Sequence, residues 1–356
     1  MSIQQLRATY AVKPKILTIS DLVVKFRVRG RILTALREAS LDVYQGECLC
    51  IVGESGSGKS VLVKSLTGLL DENGWTAGGS ILYKQFNLAR FRKERQWLQI
   101  RGKQIAMVFQ DPMTALNPLK TVGHQIQEAV ELHQGLRGNA ARRAVLDILS
   151  SVQIPNPETR YHQYPFELSG GLRQRVVFAI AIASRPRILI CDEPTTALDV
   201  TVQAQLLELL AQLQQQYKLT VIFITHDLGV VARIADRVAV MYAGEVIEVG
   251  LTEEVFYNPR HPYTINLLLA LPQLKEQGKP LYAIKGAPPS LFEEIKGDAF
   301  APRNPRPLRI DFVQRPPWFR VSSTHKAKTW LLDPRAPTLE LPRPLRELAQ
   351  NKGAGR

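Results

Sequence analysis

The sequence predicts an α/β fold built on a parallel sheet covered on both faces. Three observations predict it. Short, uniformly apolar strand-like runs alternate with longer segments of helical periodicity. One such run, Glu47 to Val52, leads straight into a glycine-rich turn and then an apolar helix. The chain has 356 residues, 45% hydrophobic and 22% charged, which is ordinary globular usage and room for two domains or one large domain with an appendage.

The elements follow in order. Ile16 to Phe26 and Ala39 to Val52 are rich in β-branched and apolar residues and read as strands. Val61 to Leu70 reads as an apolar helix. Thr121 to His133 sets Val122, Ile126, Ala129 and Val130 at helical spacing, and Val145, Ile148, Leu149 and Val152 repeat the pattern. Ile188 to Cys191 and Val221 to Ile224 are short buried strands. Between them Val202, Leu206, Leu209, Leu210 and Leu213 form one face of a long helix. From residue 300 onward 12 Lys and Arg stand against 4 Asp and Glu, with nine prolines. That tail reads as an irregular, proline-punctuated segment with little room for long helices.

Composition narrows the function classes. No run approaches the roughly 18 apolar residues needed to span a bilayer; the longest, Val176 to Ala183, is far shorter. The first fifteen residues carry charge without an apolar core and do not read as a secretory signal. The three cysteines, Cys48, Cys50 and Cys191, form neither a disulfide framework nor a metal-ligand quartet, so a reducing compartment is expected. The net charge of +14 fits nucleic acid, a membrane surface or acidic partners.

The strongest chemical signal is Gly53-Glu54-Ser55-Gly56-Ser57-Gly58-Lys59-Ser60, a G-x-x-x-x-G-K-[ST] run between a strand and a helix. Glycines let such a loop turn its N–H groups toward phosphate oxygens, and the helix N-terminus adds partial positive charge. Lys59 is expected to reach the β- and γ-phosphates and the Ser60 hydroxyl to hold Mg²⁺. Downstream, the apolar run Ile188 to Cys191 ends in Asp192-Glu193, which puts two carboxylates at the edge of the sheet where α/β ligands bind. Asp192 suits a Mg²⁺ partner, and Glu193 a general base that polarises the attacking water. Between them, Leu168-Ser169-Gly170-Gly171 opens a helix and offers a second anion site. One nucleotide does not need both, so Ser169, Gly170 and Gly171 are expected to act on a nucleotide held by another subunit; a plain serine N-cap is the simpler alternative.

This set resembles the ATP-binding subunit of ABC transporters. Residues 53–60 look like the family's Walker A motif, 168–171 like its signature and 188–193 like its Walker B motif. The resemblance implies roles for three more sites. Gln110, in Val108-Phe109-Gln110-Asp111, stands where the Q-loop glutamine contacts Mg²⁺ and the membrane partner. Ala197-Leu198-Asp199 matches the D-loop, and His226 the switch histidine that contacts the γ-phosphate. Phe26 is the candidate for stacking on adenine, with a strand-end core phenylalanine as the alternative. The motifs appear in family order over residues 15–250. The implied fold is a P-loop NTPase (RecA-like) core with an antiparallel β subdomain near the N-terminus, a helical subdomain at about 111–184 and an irregular C-terminal extension. Residues 1–254 would form the nucleotide-binding domain, 255–310 the extension and 311–356 a basic tail.

The oligopeptide/dipeptide importer group is resembled more closely still, through Asp111-Pro112-Met113-Thr114-Ala115-Leu116-Asn117-Pro118, Asn258-Pro259-Arg260-His261-Pro262-Tyr263-Thr264 and Gly286-Ala287-Pro288-Pro289-Ser290-Leu291. Nickel and glutathione importers share much of this pattern. The implied partners are a second ATP-binding subunit, identical or paralogous, packed head to tail, together with two membrane permeases and an extracytoplasmic substrate-binding protein. The implied location is the cytoplasmic face of the membrane. A soluble ABC ATPase acting on nucleic acid or ribosomes is the alternative. It is disfavoured by the single phosphate loop and the absence of sustained heptads, so nucleic acid is not an expected partner. A nucleotide sensor without catalysis would lack Glu193 or His226. Many members of the group carry four cysteines in the extension that look like iron–sulfur ligands. Aligned on Phe300-Ala301-Pro302-Arg303, three of those positions fall here on Asp298, Asn304 and Asp311, and alignment on His325 puts the fourth near Thr329. Oxygen ligands substitute poorly for thiolates, so no cluster is expected.

Overall fold

The computed structural model describes residues 2–196, 198–274 and 282–354. Its strands, in chain order, are β1 (Lys15–Val28), β2 (Arg31–Tyr44), β3 (Cys48–Val52), β4 (Gly74–Tyr83), β5 (Phe86–Asn87), β6 (Ile105–Val108), β7 (Ile188–Asp192), β8 (Thr220–Ile224), β9 (Arg237–Tyr242), β10 (Glu245–Leu251), β11 (Trp318–Arg320) and β12 (Lys326–Lys328). The helices are α1 (Ile3–Val12), α2 (Lys59–Thr67), α3 (Glu94–Trp97), α4 (Pro112–Ala115), α5 (Val122–Gln134), α6 (Gly138–Ser151), α7 (Pro157–Tyr161), α8 (Gly170–Ala183), α9 (Val200–Tyr217), α10 (Leu228–Ile234), α11 (Thr252–Tyr257), α12 (Pro262–Leu269) and α13 (Arg343–Ala354). Two compact units cut across the sequence. One holds Met1–Tyr44, Leu49–Arg90 and His226–Arg356, and the other Gln45–Cys48 and Phe91–Thr225.

The first unit contains an antiparallel sheet in the order β2-β1-β4-β5. A two-residue turn at Arg29 and Gly30, both at positive φ, joins β1 to β2, the turn geometry that matches strand twist in a hairpin. The strand expected over Ala39 to Val52 is two strands, because β2 ends at Tyr44 and Gly46 turns the chain at φ +71° before β3. In the same unit β3 runs parallel to β9, pairing Leu49 with Arg237 and Val52 with Val240. Strands β9 and β10 form an antiparallel hairpin and are buried along their whole lengths.

The tail departs from its sequence reading. Strand β12 adds to β10, pairing Glu248 with Ala327, and β11 adds to β12. Three residues each, these strands have no hydrophobic periodicity of their own and form because β10 offers an edge. Helix α13 runs for twelve residues. It is possible because the last proline of the chain, Pro344, lies in its first turn, where no intrahelical N–H is lost. The four positions aligned with cysteines serve the local backbone. Asp298 Oδ1 accepts from the Phe300 N–H at 2.9 Å, Asn304 Oδ1 from Arg306 at 3.1 Å, Asp311 Oδ2 from Leu308 at 2.7 Å and Thr329 Oγ1 from Leu331 at 3.3 Å.

In the second unit β6, β7 and β8 run parallel, pairing Val108 with Cys191 and Cys191 with Phe223. Strands β7 and β8 are buried at every residue, as covered parallel strands must be. Helix α5 starts at Thr121, whose side chain accepts from the His124 N–H, and stops at Gly135 in the left-handed region. It buries Val122, Ile126 and Val130, while α6 buries Ala141, Val145, Ile148 and Leu149. Helix α9 buries Leu206, Leu207, Leu209, Leu210 and Leu213. Among the described residues no helix is long and apolar enough to cross a membrane.

Candidate functional site

In the first unit, β3 delivers the chain into the loop 53–58, and α2 begins at Lys59. Gly53 is packed so closely that a Cβ there would lie 2.2 Å from the Met241 carbonyl oxygen, on β9. Gly58, the residue before α2, sits at φ +100° and offers no side-chain cap. A glycine at this position supplies no capping side chain of its own to the start of α2, the arrangement used where a helix start takes an anion. Lys59 is 5% exposed, and its ammonium donates to the carbonyls of Gly53 at 2.8 Å and Glu54 at 3.0 Å. Ser55 and Gly56 are exposed, Glu54 and Ser60 half-buried. Ser57 is buried, with its Oγ lacking a hydrogen-bond partner. The loop thus presents a buried cation, an unsatisfied hydroxyl and a helix N-terminus together.

Phe26 lies near the end of β1 and pairs with Gly74 of β4. Its ring covers that glycine so closely that a Cβ would meet it at 2.4 Å. His226 is exposed, and the following Asp227 caps α10 by accepting from the N–H groups of Gly229 and Val230.

In the second unit the register of β6 against β7 brings Gln110 and the pair Asp192-Glu193 out of the same edge of the sheet. Gln110 is exposed beside Phe109, an aromatic ring that also faces solvent. Asp192 is buried at the end of β7. Glu193 turns the chain with φ +47°, an uncommon conformation for a side chain this size, held by its N–H donating to the Ile224 carbonyl at 3.1 Å. Its Oε2 accepts from Thr196 Oγ1 at 3.1 Å. Burial pushes the Cys191 thiol well above its usual range, with Cys48 and Asp192 adding to the rise. Cys191 is therefore a neutral packing residue beside the carboxylates rather than a nucleophile.

Helices α8 and α9 bring two of the sequence motifs together. Ser169 caps α8 by accepting from the Leu172 N–H at 3.4 Å, so the simple capping role is real. Asp199 caps α9 by accepting from Val202 at 2.9 Å. Ser169, Gly170, Gly171, Leu198, Asp199 and Val202 line one open cleft of about 480 Å³. A Cβ on Gly171 would meet the Val202 side chain at 3.1 Å, so glycine allows α8 and α9 to approach there. Ala197, the first residue of the matched D-loop, lies outside the described residues.

Sequence reasoning missed the partners of the phosphate loop. Glu54 is bound at its peptide by Tyr263 and at its carboxylate by Arg303. Both residues stand in runs that carry the family resemblance, but nothing in those runs points across 209 or 249 positions to the loop.

Residues 36–196 match the ABC transporter family, and residues 247–308 match the C-terminal region of oligopeptide/dipeptide transporters. The oligopeptide transport ATP-binding protein AmiE of Streptococcus pneumoniae serotype 4 is 57% identical over 330 residues, 93% of each chain. The oligopeptide transport ATP-binding protein OppD of Bacillus subtilis is 49% identical over 330 residues, 92% of each chain. Among solved structures, the dimeric post-hydrolysis state of the ATP-binding cassette MJ0796, bound to ADP and Pi, is similar with a TM-score of 0.59 and 26% identity. That match spans 66% of this chain and 98% of the cassette. With a phosphate loop, a strand ending in paired carboxylates and a signature helix in a chain so similar to these proteins, the chain belongs to the ABC transporter family, as an ATPase of its oligopeptide/dipeptide transport group.

Proposed function

We propose that the chain powers peptide import as one of two cassettes that jointly enclose ATP, each supplying a phosphate loop to one nucleotide and a signature to the other. The observation that carries this reading is the cleft shared by Ser169, Gly170, Gly171 and Asp199, two motifs thirty residues apart that open on one surface. The partner is a second copy or a paralogue, in keeping with the dimeric state named for the MJ0796 cassette. Two membrane permeases and an extracytoplasmic binding protein complete the transporter, with Gln110 and the exposed Phe109 offered to a permease helix at the cytoplasmic face. Nucleic acid is not a partner.

Within a cassette Lys59 and the loop N–H groups bind the phosphates, and Phe26 stacks on adenine. Ser60, Gln110 and Asp192 each can offer an oxygen ligand of the kind a hard cation takes, and Mg²⁺ requires few protein ligands because phosphates and water supply the rest. When bound, Mg²⁺ neutralises charge developing on the phosphates. Glu193 takes the proton of the attacking water, and His226 contacts the γ-phosphate.

The test is co-purification with the permeases and binding protein, followed by ATPase turnover with dipeptides, longer peptides, nickel and glutathione. Peptide stimulation supports the reading; stimulation by another ligand alone overturns the substrate. Mixed complexes carrying Ser169→Ala in one subunit are expected to lose hydrolysis at the nucleotide held by the other subunit's loop. Damage confined to the mutated subunit's own nucleotide would contradict the shared enclosure.

A further inference from the structure

The C-terminal extension grips the phosphate loop at its second residue. Arg303 places both terminal nitrogens on the Glu54 carboxylate, Nη1 at 2.7 Å and Nη2 at 3.1 Å. The guanidinium also donates through Nη1 to Tyr242 Oη at 3.2 Å and through Nε to the Lys285 carbonyl at 3.0 Å. Its side chain is 5% exposed. Phe300 packs its ring against Tyr242 and Tyr263, each at 5.4 Å between centroids, and Tyr242 and Tyr263 meet at 4.6 Å. Tyr263 then takes the Glu54 N–H on its hydroxyl at 2.8 Å. Glu54 is thus held by the extension at backbone and side chain together.

This matters for Lys59. The Glu54 carbonyl accepts from the Lys59 ammonium, as does the Gly53 carbonyl. Tyr263 holds the Gly53–Glu54 peptide unit through its N–H, and Arg303 holds the Glu54 side chain, so together they fix the carbonyls on which that cation waits. An exposed ion pair contributes little, but a buried, two-pronged arginine fork fixes geometry as well as charge.

We propose that Arg303 is a positioning residue of the phosphate loop: its fork on Glu54 holds residues 53–59 in the form that receives phosphate, and so makes the C-terminal extension part of the nucleotide site. The proposal rests on the reading of residues 53–60 as that site. Without the fork the loop spends part of its time in other conformations, and apparent nucleotide affinity drops by the fraction lost.

The experiment titrates a non-hydrolysable ATP analogue onto the full-length chain and its variants, and measures KM and kcat for ATP. Arg303→Ala and Glu54→Gln are each expected to weaken binding roughly 5- to 30-fold. The loss should fall on KM rather than kcat. The double variant should be no weaker than the worse single one, because both break the same contact. Arg303→Lys should recover only part of the affinity, since an ammonium cannot make the fork. Lys59→Ala is the control. If it binds like the parent, the phosphate-site reading fails and the proposal falls with it. If it loses binding while Arg303→Ala and Glu54→Gln stay within twofold of the parent, the proposal alone is overturned, as it is by additive losses in the double variant. Should Arg303→Ala fail to fold, Glu54→Gln decides, because it leaves the extension's own packing in place.

Discussion

Under the proposed function, Lys59 gives up its bonds to the Gly53 and Glu54 carbonyls when phosphate arrives. The exchange is favourable because a phosphate oxygen carries charge and a peptide carbonyl does not, and charge-assisted bonds are worth about 1.5–3 kcal/mol. In Lys59→Ala the loop has no side-chain cation left, so ATP affinity is expected to fall about tenfold or more, measured by direct titration. Glu193→Gln should keep the shape and hydrogen bonding of the strained turn and remove the base. Hydrolysis is then expected to drop by ~10²-fold or more with ATP still bound; retained turnover would move the base elsewhere. At this scale the sequence was legible wherever spacing is local. The G-x-x-x-x-G-K-S run and the strand ending in Asp192-Glu193 each lie within a single connection, so periodicity and glycine content locate them. Arg303 and Tyr263 were illegible as loop partners because their contact arises only when distant segments fold together.

The tail hairpin is the element that sequence patterning read least well, and its attachment can be tested. Glu254, on α11, is buried and accepts from Ser322 Oγ at 2.6 Å, Thr324 Oγ1 at 2.7 Å and the Leu251 N–H at 3.0 Å, with Arg7 of α1 paired to it at 2.8 Å. Burial alone would raise its carboxyl, but the hydrogen bonds from Ser322, Thr324, Leu251 and Arg7 outweigh it and hold the group below the ordinary value of 4.5. A carboxylate with a lowered folded value stabilises the fold above the unfolded value and loses that contribution as pH falls through the folded one. Glu254→Gln is therefore expected to lose about 1–3 kcal/mol at neutral pH, with the gap to the parent closing below pH 4.5. Denaturant unfolding at several pH values measures it; a gap that widens on acidification would contradict the assignment. A three-residue strand of Lys-Ala-Lys has no pattern to read, and only the open edge of β10 makes it a strand. The long helices α5, α6 and α9 were legible because each repeats its buried face over several turns.

At the scale of the whole molecule, the positions that the resemblance aligns with cysteines carry side-chain oxygens that accept from the local backbone. Protein purified without oxygen is expected to be colourless and free of stoichiometric iron and sulfide. Visible absorption with matching iron would show that the alignment or the ligand chemistry is wrong. The two units also differ in how the chain composes them. The second is almost one uninterrupted stretch, Phe91–Thr225, joined only by Gln45–Cys48. The first is assembled from three pieces, the last reaching Arg356. Synthesis proceeds from the N-terminus at roughly 5–20 residues per second, so the two units do not become available at the same moment. On the ribosome the stretch through Thr225 has emerged in full while β9, β10 and the Arg303 fork are still unmade. The loop 53–58, although translated early, meets Tyr263 and Arg303 only after most of the chain has been made. A stalled or truncated product would carry a finished cleft at Ser169 and Asp199 and an unfinished loop 53–58; under the proposed function, such a fragment faces a partner's nucleotide but does not hold its own.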